Sequence, residues 1–165
     1  MSISKKISIC AMLTVIALIF GYIEFLFPIP LPIPGIKLGL GNIVILICIY
    51  TLNYKYAFFT MLIKVILSTI LFASPSMLIY SLSGGILSYL VTILMKRFSF
   101  NIITTSIGGG VFHNIGQLGA AFFVLNSINL MYYAPLLILC GIITGALVGI
   151  VSNTIINRIH KFYGR

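Results

Sequence analysis

The stretch 106–123, SIGGGVFHNIGQLGAAFF, decides what kind of molecule this is. It reads as the middle of a membrane helix until it reaches His113, Asn114 and Gln117, three strongly hydrogen-bonding side chains set where lipid or packed protein belongs. On a helix His113 and Gln117 are four apart and Asn114 and Gln117 three apart, which predicts that they share one side. Gly109, Gly116 and Ala120 flank that side, and small residues let a neighbouring backbone come close. Two readings follow. One is a tight helix seam held by interhelical hydrogen bonds. The other is a polar wall lining a ligand cavity, since neutral His, Asn and Gln each offer donors and acceptors.

The surrounding chain fixes the solvent. Hydrophobic residues make up 61% of the 165 residues and charged residues 7%, with a mean hydropathy of +1.22, far beyond the apolar share of a soluble domain. The expectation is an all-α integral membrane bundle forming a single domain over 1–165. Its six transmembrane helices are expected near 7–27, 38–53, 56–73, 75–95, 103–126 and 133–156, at about 20 apolar residues per crossing. The longest connection is FPIPLPIPGIK, from Phe27 to Lys37. Lys5 and Lys6 before the first apolar run resemble the start of a signal peptide. That run continues to Phe27, longer than the usual h-region, and no clear A-x-A site follows, so it reads as a span.

A net charge of +9 raises the question of nucleic acid, and the positions of the basic residues answer it. With both termini cytoplasmic, the inside carries Lys5, Lys6, Lys55, Lys96, Arg97, Arg158, Lys161 and Arg165, and the outside only Lys37. This is a positive-inside asymmetry in a multi-pass protein of the cell membrane, with attraction to anionic lipid, and nucleic acid is not needed.

Lys64 stands apart, near the middle of its segment and on the order of 15 Å from either end, too deep to snorkel easily. Thr60 and Ser68, four residues to each side, make a polar stripe with it. A charged lysine there costs roughly 2.5–3.5 kcal/mol on insertion scales and calls for a partner within the bundle. Glu24, the only carboxylate side chain of the protein, is the one anionic residue able to serve; a Glu24–Lys64 pair and a substrate-binding Lys64 both fit. Prolines 28, 30, 32 and 34 favour a stiff extended crossing, either a lid or a rigid loop, and Gly35, Gly39 and Gly41 let the chain turn into the second helix. Lys37 with nearby backbone amides offers a place for an anionic group. Asn42 follows at the start of that helix. The candidate ligand-binding residues are therefore His113, Asn114, Gln117, Lys64, Glu24, Lys37 and Asn42.

Other residues narrow the chemistry. Cys10, Cys48 and Cys140 lie in apolar segments without metal-ligand spacing and read as small core residues, so no metal site is expected. There is no Asp, which excludes a carboxylate pair, a Ser-His-Asp triad and an Asp-rich magnesium site; no catalytic residue is assigned. The ATP loop G-x-x-x-x-G-K-[ST] is also absent, so energy must come from a partner or a gradient. Gly141, Gly145 and Gly149, four apart in the last helix, read as a packing face within the bundle or against another subunit. Ala17 and Gly21 form a similar pair in the first helix.

PGIKLGLGNIV after a proline-rich loop, SGGILSYLV at 83–91 and GGGVFHNIGQLGAA at 108–121 resemble the Gx transporter family, also called heptaprenyl diphosphate synthase component I, over about residues 8–155. That family is similar in size and helix count to the S components of energy-coupling factor transporters. The resemblance implies six helices, an outward-facing pocket under a lid formed by the first outer loop, and separate coupling and ATPase subunits. S components carry an A-x-x-x-A motif on helix one, which Ala17 and Gly21 approximate. The synthase name conflicts with a chain lacking Asp, so the expectation is not an enzyme but a substrate-binding subunit for uptake of a small organic molecule, needing no cofactor. The resemblance also suggests a subunit of a quinone- or flavin-linked electron-transfer system, with a bound flavin or quinone or a redox partner protein, or an accessory component of isoprenoid metabolism.

The charge asymmetry yields a direct test. A membrane-impermeant thiol reagent applied from outside should label a cysteine introduced into the 28–36 loop and miss one introduced near residue 97; labelling of both from one side would overturn this topology.

Overall fold

The computed structural model describes residues 2–26, 39–72 and 74–163. The described residues are helical, without strands: α1 (Ile3–Leu26), α2 (Asn42–Thr51), α3 (Tyr54–Phe72), α4 (Pro75–Arg97), α5 (Ile102–Leu125), a 3-10 turn (Ile128–Tyr133) and α6 (Ala134–Tyr163). Local chemistry sets several of the boundaries. Pro75 opens α4, where a missing N–H costs nothing. Asn101 caps α5 by accepting from the Thr104 amide at 2.7 Å, and Asn126 ends that helix in the left-handed conformation (φ 46°).

The helices form two groups of three. α1 packs on α3 with α2 beside both, and α5 packs along its length between α4 and α6; α2 against α6 and α3 against α4 join the groups. Their core gathers Ala17, Val44, Cys48, Met61, Val65 and Tyr89.

Four helical stretches are long and apolar enough to cross a membrane: α1, α3, Met77–Arg97 of α4, and Ile128–Phe162, which includes α6. The expected count of six is therefore reached as six helices but not as six such spans. α2 has 10 residues, about 15 Å at 1.5 Å per residue, half of the ~30 Å hydrocarbon core. It is buried from Ile43 to Ile49 without a break, which makes it an inner core helix. α5 has the length, 24 residues, but its glycines and polar triplet lower its apolar character, and α4 and α6 flank it.

Lysines tie one end of the bundle together. The Lys6 ammonium lies 5.8 Å from the Tyr56 ring. Lys96 donates to the Ile49 carbonyl, one of the orphan acceptors in the last turn of α2, and its ammonium sits 4.5 Å from the Tyr50 ring and 5.2 Å from that of Tyr54. These contacts bring the start of α1, the α2–α3 turn and the end of α4 together, as the charge pattern requires.

Glycines set the helix spacing in the second group. A Cβ on Gly141 would stand 2.8 Å from the Val111 Cα, one on Gly145 2.7 Å from the Ile107 Cα, and one on Gly149 2.9 Å from the Ile103 Cα. The last-helix glycine face is thus a seam with α5 of the same chain. Ala17 is fully buried, whereas a Cβ on Gly21 would meet nothing within 4 Å, so Gly21 is not a close-contact glycine.

Gly145→Leu should lower thermal stability in detergent by about 1–3 kcal/mol or more, since backbone faces the new side chain. Gly119→Ala, where nothing lies within 4 Å, should match or exceed the wild type. Equal stability of the two variants would mean that the seam does not set helix spacing.

Candidate functional site

The site begins where α1 ends and α2 starts. Glu24 is buried in the last turn of α1, and its Oε1 accepts from the Leu40 amide at 2.6 Å. That amide precedes the first turn of α2, where N–H groups lack helical partners and the helix dipole favours negative charge. Gly39 makes the bend with φ +80°, a conformation costly for other residues. Asn42 then turns its side-chain Oδ1 to the Lys64 Nζ at 3.4 Å. A Cβ at Gly41 would stand 2.7 Å from the Lys64 Cε and 3.1 Å from the Ala17 carbonyl, so a larger residue here would push the lysine head group aside.

Lys64 reaches this position half-buried, between Thr60 and Ser68, which lie one turn to either side and are buried on the inward face of α3. From the other group α5 contributes His113 and Gln117, both buried. They approach α4 at its glycines: a Cβ on Gly84 would stand 2.7 Å from the Gln117 Cγ and from the His113 carbonyl. Between these helices lies a cavity of about 30 Å³ lined by Glu24, Lys64, Ser68, Ser81, His113 and Gln117, with Gly21 and Gly39 at its edge. By the ~10–15 Å³ that one water needs, it holds about two. The Gln117 Oε1 is buried and has no hydrogen-bond partner among the described residues. Such an atom costs roughly 1–3 kcal/mol until a water or ligand donates to it.

The cavity thus gathers four sequence candidates, Glu24, Lys64, His113 and Gln117, with Asn42 joined through Lys64. Asn114 lies elsewhere. Its Nδ2 donates to the Leu137 carbonyl of α6 at 2.8 Å, so the polar triplet is divided between a cavity wall and a helix seam. Lys37 and the 28–36 loop lie outside the described residues. Sequence reasoning missed Ser81, one of many hydroxyls, and read Gly41 as a turn residue without its approach to Lys64. It also missed a second cavity of about 40 Å³ between α2, α4, α5 and α6, bordered by Asn42, Ser88, Thr92, Ser106 and Thr144. The Thr92 and Thr144 hydroxyls there donate to the carbonyls one turn back, at 2.7 and 2.9 Å. Among the described residues no group of three His, Cys, Asp or Glu side chains is placed to hold a metal ion.

Comparison with known proteins gives one match. The family model described as heptaprenyl diphosphate synthase component I covers residues 13–155, which include every lining residue of the first cavity. No curated protein matches, and no solved structure matches.

The division of the triplet can be measured. Asn114→Leu should cost about 0.5–1.5 kcal/mol of stability in detergent, the range of interhelical hydrogen bonds in membranes, and leave small-molecule retention unchanged. Retention lost at unchanged stability would place Asn114 on the cavity wall instead.

Proposed function

Because the chain belongs to the heptaprenyl diphosphate synthase component I family, we propose that it is the membrane-embedded binding subunit of a multi-component system. In this reading a small organic molecule enters the cavity between α1, α3, α4 and α5, which widens beyond its about 30 Å³ to admit it, and the protein performs no chemistry on it. One observation carries the proposal: the only carboxylate side chain of the protein, its mid-helix lysine, and His113 and Gln117 from the other half of the sequence line one cavity. Helix packing alone does not call for this. A seam is satisfied by pairing groups across it, as Asn114 pairs with Leu137, whereas the Gln117 Oε1 is left for a further donor.

The family description names a component, which implies a partner. An energy source fits the same arrangement, since no ATP loop is present in this chain. The site lies toward the end of the bundle away from the Lys6, Lys55 and Lys96 end, which under the positive-inside rule is the outer half. Ala17 and Gly21 are buried, so that pair faces α2 and the cavity, and coupling subunits would dock on another face of the chain.

The test is mass spectrometry of small molecules retained through mild detergent purification, run beside thermal unfolding. Gln117→Leu should reduce retention about tenfold or more, equivalent to 1.4 kcal/mol, at an unchanged yield of folded protein. Lys64→Leu should do the same, with Lys64→Arg only partly tolerated because the planar guanidinium is larger. Unchanged retention with lost stability would make the patch helix glue and overturn the proposal.

A further inference from the structure

The charges lining the first cavity constrain what can enter it. Lys64 brings +1 and Glu24 brings −1, the only formal charges among its lining residues, so with neutral His113 the site sums to zero. In a low-dielectric interior an added net charge is expensive unless a counter-charge accompanies it. The natural anion subsite, the amide entry to α2, is already taken by the Glu24 carboxylate at 2.6 Å. In the same cavity the buried Gln117 Oε1 has no partner among the described residues and accepts only a donor. Lys64, which lines the same cavity, carries N–H groups and accepts nothing.

From this we infer, resting on the binding role proposed above, that the cavity selects a small ligand of zero net charge that carries an N–H donor close to an oxygen acceptor. The donor pairs with the Gln117 Oε1 and the acceptor faces Lys64. A zwitterion with ammonium and carboxylate meets this requirement, and so does a neutral primary amide. A simple carboxylate lacks the donor and brings −1; a simple ammonium lacks the acceptor and brings +1.

The experiment uses the full chain in detergent and four probes of closely similar size, each titrated into the millimolar range: glycine, acetamide, acetate and methylammonium. The readout is the unfolding temperature as a function of probe concentration, since a ligand that binds the folded state raises it. Glycine or acetamide should act at concentrations at least tenfold below acetate and methylammonium, and which of the two acts decides between zwitterion and neutral amide. Gln117→Leu should abolish the response while keeping the probe-free unfolding temperature. Gln117→Glu at pH 8 changes the site sum to −1 and should transfer the preference to methylammonium.

Acetate or methylammonium acting first on the wild type, through Gln117, would overturn the ligand class and leave the binding role standing. Retention of native molecules in a Gln117-dependent way, with no probe acting, would likewise overturn the ligand class alone. Absence of both probe response and Gln117-dependent retention would overturn the ligand class together with the binding role.

Discussion

An ammonium group halfway along a membrane helix has to be answered from within the protein, and the architecture around Lys64 follows from that demand. Its charge cannot face lipid without a cost of roughly 2.5–3.5 kcal/mol, so α3 turns this face inward with Thr60 and Ser68. Its Cε and Nζ lie against Gly41, which has no Cβ to push them aside. Its head group needs an acceptor, and Asn42 supplies one at 3.4 Å. Both residues sit at the start of α2, so the place where that helix begins is tied to the lysine. Glu24 fixes the same turn from α1 through the Leu40 amide. Lys64 thereby couples α3 to the start of α2, and Glu24 couples α1 to the same turn.

The second group of helices solves a different problem. Between α4, α5 and α6 Asn114 bonds across to Leu137 while the Thr92 and Thr144 hydroxyls bond back to their own helices, and lipid provides no hydrophobic drive for the helices to meet. Close approach of backbones holds them instead, through Gly84 and Gly116 on one side of α5 and Gly110, Gly141 and Gly145 on the other. α5 is clamped on both sides. It can therefore hold buried polar side chains in fixed positions, Asn114 toward α6 and His113 with Gln117 toward the cavity.

Much of this could be read from the chain. The long apolar runs located α1, α3, α4 and the start of α6 to within a few residues, because burial in lipid leaves an unmistakable compositional trace, while α6 runs on to Tyr163. At α2 the same trace does not tell what surrounds the helix. An apolar run looks alike whether lipid or protein surrounds it, and only the three-dimensional packing shows that Ile43–Ile49 are enclosed. Spacing brought His113 and Gln117 to one face correctly. It failed for Asn114, because a residue one step further round the helix meets a different neighbour, and sequence periodicity does not say where that neighbour lies. Glu24, Lys64 and Gln117 are far apart in the chain, and their meeting depends on how the two helix groups dock. The family resemblance read from the glycine-rich motifs agrees with the match over residues 13–155.

The tyrosine and lysine cluster formed by Tyr50, Tyr54, Tyr56, Lys6 and Lys96 has a consequence for how the molecule floats. Amphipathic rings and cations favour the headgroup layer, where both their apolar and polar parts are satisfied. Gathered at one end of the bundle, they act as an anchor that holds this end at a set depth. A membrane that thickens or thins then moves its other boundary relative to the protein, and the mismatch falls on the opposite end, where Glu24 and Ser81 border the cavity. Bilayer thickness becomes a variable that the cavity-bearing half of the molecule feels and the anchored half does not.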